Sequence, residues 1–168
     1  MSSALHRSIY DRLAGNEVMT SPFAGYQTDL AALLGTDPDT TEPCVYYGDT
    51  NDSAQPQDTD GQYLSCITFR PGGGSPDGRF FDGLAIGNGL YDFEFWDYSR
   101  SGTVITDIAT LVKRLLDRRL KAPVLALETD DRTENVWFEA FTELTVFPDT
   151  DRNGWAGLIR YRVIQAQV

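Results

Sequence analysis

Thr103-Val-Ile-Thr-Asp-Ile-Ala-Thr-Leu-Val-Lys-Arg-Leu-Leu-Asp-Arg-Arg-Leu120, followed by the aromatic-rich stretches Asn135–Phe147 and Trp155–Val168, decides the fold of this chain. Val104, Ile105, Ile108, Leu111, Val112, Leu115, Leu116 and Leu120 recur at the 3.6-residue spacing of a helix with one buried stripe. Thr103 can cap the start, and Asp107 suits the positive end of the helix dipole. Arg118, Arg119 and Lys121 suit the negative end, and Pro123 stops continuation. Each buried Leu or Ile contributes roughly 1.5–3 kcal/mol, so Leu111→Asp is expected to prevent folding. The two stretches that follow read as long strands joined by Pro148–Gly154. In the second, Trp155, Gly157, Ile159, Tyr161 and Val163 alternate with Leu158, Arg160, Arg162 and Ile164. Apolar side chains on both sides of a strand call for a second contact surface, which oligomerisation would cover. The expected fold is α+β: an antiparallel sheet backed by two or three α-helices, in one domain spanning residues 1–168.

Upstream, Ser3 is placed to cap a first helix with Leu5, Ile9 and Leu13 on one side and Gly15 as its stop. A second short helix fits Tyr26–Leu34, with Gly35 as its C′ residue. Residues 36–62 are turn formers broken by Val45–Tyr47, a short strand. Tyr63–Phe69 and Leu90–Tyr98 read as strands, the latter with Tyr91, Phe93 and Phe95 on one face and Asp92, Glu94 and Trp96 on the other. Between them residues 71–89 read as a Gly-rich loop insertion. Loops that long are usually functional or disordered, and this one carries Arg79, Phe80 and Phe81, whose exposed-looking phenylalanine pair favours contact with a partner. Phe80→Asp with Phe81→Asp is expected to spare folding and weaken assembly.

Composition narrows the function. The 168 residues are 41% apolar, enough for one core. A net charge of −11 argues against general nucleic-acid binding, which needs a cationic footprint. No Lys or Arg lies between Arg12 and Arg70, whereas no acid follows Asp151 and three arginines do (Arg152, Arg160, Arg162). The imbalance suits head-to-tail docking, although a solvated acidic face is the simpler account. Lys113 and Lys121 are the only lysines, and Asp outnumbers Glu. That composition is like the proteins of salt-loving microbes, in which dense carboxylates repel at low ionic strength. Cys44 and Cys66 form no disulfide framework and read as buried thiols. No stretch approaches the ~18 apolar residues of a membrane span, and no signal peptide is visible.

Chemistry is sparse. Asp149-x-Asp151-x-Asn153-Gly154 copies the first half of an EF-hand loop, but its twelfth position is Arg160 where a bidentate Glu belongs. A hairpin connection explains the same letters. Gly73 to Gly78 lacks the Lys and Ser/Thr of a phosphate loop. His6, the single histidine, reads as a surface residue with no nucleophile placed beside it. Two Cys and one His fall short of a zinc site, and Asp92 with Glu94 reads as a solvated strand face. No catalytic residue, metal ligand or cofactor site is expected.

The order of parts resembles the tail-completion (tail terminator) proteins of long-tailed phages and related archaeal viruses. Three segments carry it: the opening helix Ala4-Leu-His-Arg-Ser-Ile-Tyr-Asp-Arg-Leu13, the strand end Phe93-Glu-Phe-Trp-Asp-Tyr-Ser-Arg-Ser101, and Phe147-Pro-Asp-Thr-Asp-Arg-Asn-Gly-Trp-Ala-Gly-Leu-Ile-Arg-Tyr-Arg162. Together with their surroundings they span about residues 3–14 and 90–168. The resemblance implies a homo-hexameric ring that caps the finished tail tube and joins it to the neck beneath the capsid. Its partners would be further copies of itself, the tail tube protein and a neck or head-completion protein. Viral DNA would pass through an acidic lumen without sequence-specific binding. Interface residues expected on this reading are Arg79, Phe80, Phe81, Trp96, Trp155, Arg160 and Arg162. Trp155 could equally be core. The competing readings are another neck, connector or tail-tube subunit and, more distantly, an acidic hydrolase or calcium-dependent binding module.

Overall fold

The structure, a computed structural model, describes residues 3–15, 23–48, 55–72, 79–81, 84–98, 102–116, 125–129 and 132–167. Among the described residues three helices, α1 (Ser3–Ala14), α2 (Ala24–Leu33) and α3 (Thr103–Leu116), cover one face of an eight-stranded sheet, α1 and α3 against the strands and α2 against α1 and α3. The strands are β1 (Val45–Tyr47), β2 (Cys66–Pro71), β3 (Arg79–Phe81), β4 (Leu84–Asp97), β5 (Leu125–Thr129), β6 (Arg132–Ala140), β7 (Thr145–Asp149) and β8 (Gly154–Gln167). Their spatial order is β1-β2-β4-β8-β6-β5, with β3 paired to β4 and β7 to β8. This is an α+β fold. The sheet is antiparallel except at one edge, where β1 runs parallel to β2.

The helical stripe forms the core as its period dictates. Ile105, Ile108, Ala109, Val112, Leu115 and Leu116 of α3 are buried. They meet Phe69 of β2, Tyr91, Phe93 and Phe95 of β4, Phe138 of β6, and Ile159, Tyr161 and Val163 of β8 in one cluster. Leu5, Ile9 and Leu13 of α1 are fully buried in the same cluster. Leu111 differs from expectation: it packs at the margin of the core and is half-buried. Leu120 and the basic residues 118, 119 and 121 lie outside the described residues. α3 can approach β8 closely because of Gly157, where a Cβ would sit 2.5 Å from Ile105 Cγ2.

Three elements depart from the sequence reading. Residues 79–81 and 84–89, read as loop, belong to β3 and to a β4 fourteen residues long. Asn88 and the glycines at 87 and 89 nonetheless pair with Val163–Gln165 of β8, so tertiary pairing overrides their turn preference. Asn135–Phe147, read as one strand, is two. β6 ends at Ala140 opposite Tyr161, and β7 starts at Thr145 opposite Leu158, so residues 141–144 face only Ile159 and Arg160. The amides of Phe141 and Thr142 both donate to the Arg160 carbonyl at 2.8 and 3.2 Å, and the Arg160 amide donates to Thr142 Oγ1 at 3.0 Å. Such a bulge bends the strand, and these bonds keep the amides of Phe141, Thr142 and Arg160 satisfied. Finally, Gly35 is no left-handed helix cap. Leu34, the capping residue, is extended, and Gly35 is small because a Cβ there would lie 2.6 Å from Leu64 Cβ.

The acidic loop after α2 is organised by its own carboxylates. Asp37 Oδ1 accepts the amides of Asp39 and Thr40, and its Oδ2 accepts the Tyr46 hydroxyl at 2.7 Å. Tyr10 on α1 donates to Glu42, and burial together with that bond pushes its phenol up to about 12. Asp58 repeats the device, accepting the amides of Asp60 and Gln62. Cys44 and Cys66 are free and buried, as expected. Burial raises both thiols.

Candidate functional site

The sheet face away from the helices carries the side chains that the core does not use. Because side chains alternate along a strand, register alone sets their neighbours. Arg70, Asp92 and Arg160 form one rung across β2, β4 and β8, and Thr68, Glu94 and Leu158 the next. Glu139, Arg162 and Leu90 form a third across β6, β8 and β4. Arg160 makes a bidentate pair with Asp92, Nε–Oδ1 2.6 Å and Nη2–Oδ2 2.9 Å. Arg70 Nη2 donates to Glu94 Oε1 at 2.9 Å. Asp92 and Glu94, read as a solvated acidic face, are thus neutralised by two arginines. Such pairs hold the strands in register rather than arrange acid–base chemistry.

At the end of this face the loop after residue 55 and the β7–β8 turn close over the sheet. Gln55, buried, accepts from Cys66 Sγ at 3.5 Å and the Tyr98 hydroxyl at 3.2 Å. Arg152 pairs with Asp149 at 3.0 Å and lies 5.7 Å from the Trp96 ring centroid and 5.8 Å from that of Tyr63. Asp149 therefore holds the turn's own arginine rather than facing an ion. Asn153 supplies the left-handed residue, φ 56°, that the reversal requires. The EF-hand-like letters spell a hairpin. Beneath the turn, Ser65 Oγ donates to the buried Asp97 carboxylate at 2.8 Å, beside a cleft of about 660 Å³ that also touches Gly35, Leu64, Tyr98 and Arg152. Among the described residues, no group of three His, Cys, Asp or Glu side chains converges as a metal site.

The expected interface residues part company here. Trp96 is half-buried under Arg152, and Trp155 lies on the opposite face of the sheet, packed against the core. Arg160 is engaged by Asp92. Arg162 is exposed and sits 5.3 Å over the ring of Phe141. Arg79, Phe80 and Phe81 form β3, and their side chains lie outside the described residues. Sequence reasoning missed Phe141, 53% exposed, and Phe147, 44% exposed. It read Phe141 as interior to one long strand and Phe147 as that strand's last residue. The signal available was Thr142-Glu143, two polar residues in succession that break the alternation.

His6 also differs from its reading as a surface residue. Its ring stacks on Tyr47 at 3.9 Å between centroids, and Nε2 lies 2.8 Å from the Tyr91 hydroxyl. It joins α1 to β1 and β4. Burial lowers its pKa from 6.5.

On the outer side of the helical layer, α2 and α3 leave a groove of about 410 Å³ lined by Asp29, Ala32, Leu33, Asp107, Thr110 and Leu111. Its floor is apolar, and a carboxylate from each helix stands at its rim.

No protein-family model matches the chain, and no curated protein matches it. Among solved structures it is similar to a chain in the virion of a native gene transfer agent (GTA) particle, with a TM-score of 0.55 and 14% identity over 98% of this chain and 95% of that one. At that identity the likeness establishes the shared fold from end to end.

Proposed function

We propose that the protein is a virion structural component, and specifically a ring-forming tail terminator at the head–tail junction. It would cap the tail tube and join it to the neck while DNA passes through the ring. One observation carries this reading: nearly the whole chain superposes on nearly the whole of a chain that belongs to a virion particle. Two others support it. The opening helix, the β4 end and the final hairpin resemble tail-completion proteins in the same order. The buried side chains are those a scaffold needs, and Phe141, Val146 and Phe147 leave apolar surface exposed for a neighbour to cover. The protein works by assembly with copies of itself and with tail-tube and neck proteins, using no catalysis, cofactor or metal. It is assembled in the host cytoplasm and resides in the virion.

Electron microscopy of the purified protein tests the reading. Ring particles with a central hole, which halt the growth of tail tubes when added to polymerising tube protein, are the expected result. Dispersed monomers at every salt concentration would refute it. Incorporation along the whole tube would make the protein a tube subunit instead.

A further inference from the structure

Resting on the ring reading, we propose that the groove between α2 and α3 of one copy receives the Phe141–Arg162 patch of the next. Phe141 projects from the bulge between β6 and β7 with more than half its surface exposed, and the Arg162 guanidinium lies 5.3 Å over its ring. Among the described residues Arg162 has no carboxylate at ion-pair distance, in a chain that carries −11 overall. The groove offers the complement. Ala32, Leu33 and Leu111 make an apolar floor for an aromatic ring, and Asp29 and Asp107, both exposed, stand where a guanidinium beside that ring would arrive.

The two surfaces cannot meet within one molecule. Tyr161 and Val163, flanking Arg162, are buried under the helices, so Arg162 points away from the helical layer. The groove lies between α2 and α3, on the helical side of the sheet. Patch and groove therefore belong to different copies, and the contact is heterologous, the kind that closes into a ring or runs on as a filament. A guanidinium stacked on an aromatic ring and received between carboxylates is a compact anchor, since Arg and aromatic residues dominate interface energetics. Leu111 thereby gains a reason to be half-buried in the monomer.

Three chains test this by sedimentation velocity, with near-ultraviolet circular dichroism confirming that each is folded: R162E, D29R with D107R, and all three changes together. The first two are expected to raise the concentration for half-assembly by about tenfold or more, because like charges would then face each other. The triple variant should return to within about threefold of the parent, because the charges are exchanged across the same contact. If the parent assembles and neither charge change affects it, the docking is wrong while the ring stands. If each change weakens assembly and the triple does not recover, the two surfaces do not meet, and the proposal falls. A parent that stays monomeric at all concentrations and salts removes the ring and the docking together. Should a reversal prevent folding, R162Q and D107N give the same decision through a loss in the salt dependence of assembly.

Discussion

Arg160 on β8 and Asp92 on β4 face each other across the middle of the sheet, joined by two parallel hydrogen bonds of 2.6 and 2.9 Å. Asp92 is nearly buried, whereas the arginine side chain is about one-third exposed. Losing the arginine leaves a carboxylate that water reaches poorly. Arg160→Leu is therefore expected to cost about 1–3 kcal/mol of folding stability, read as the shift in urea midpoint at constant slope. Exchanging the pair, Asp92→Arg with Arg160→Asp, should recover part of that loss. No recovery would mean that the charges are separately placed.

Gly157→Ala should destabilise by about 1–3 kcal/mol through overpacking, because its methyl would arrive 2.5 Å from Ile105 Cγ2 and 3.2 Å from Leu144 Cδ1. Combining it with Ile105→Ala, which removes the Cγ2 methyl that the new Cβ would meet, should give a smaller loss than the sum of the two. Additive losses would show that α3 does not ride on β8 at that point.

His6 makes stability depend on pH with a defined sign. Its folded pKa lies below 6.5, so the unfolded chain binds the proton more readily. Its contribution is fully present above about pH 6.5 and is lost as pH falls through the folded value. Thermal melts of the native chain and of His6→Gln should therefore converge below that range. A separation that grows on acidification would contradict the neutral, half-buried ring.

Trp155→Ala should cost about 2–3 kcal/mol in the monomer, somewhat under the 3–5 kcal/mol of a fully buried tryptophan, since the ring is only partly covered. Gly102 packs against it, with a Cβ position 3.0 Å from Trp155 Cδ2. A loss seen only when copies associate would return the ring to the interface.

Salt should stabilise the molecule. Asp and Glu exceed Lys and Arg by 25 to 14, and many acids stand on exposed loops. The melting temperature is expected to rise between about 0.1 and 2 M KCl as their repulsion is screened. A flat response would refute adaptation to high salt.

Amphipathic periodicity made α1, α3 and the inward face of β4 readable from the chain alone, because burial on one side writes a pattern into consecutive residues. Where two rules competed, local pattern lost. Gly87 and Gly89 signal a turn, yet they sit in β4 because β8 supplies their hydrogen bonds. The bulge after Ala140 depends on which residue of β8 lies opposite, and no local pattern records that. The same blind spot hid Phe141, whose exposure follows from the bulge. The neighbour of Trp96 was equally invisible locally: Arg152, which lies over its ring, comes 56 positions later in the chain.

β8 is the last strand in sequence and lies between β4 on one side and β6 with β7 on the other. Until a ribosome has delivered it, the two halves of the sheet have nothing to bind, and the aromatic row of β4 remains uncovered along that edge. The sheet therefore cannot close until β8 has been made, and most of its contacts must then form across long stretches of chain. A nascent chain stalled before Gly154 would be a natural client for chaperones, because the edges of β4 and β6 that β8 pairs would both be open.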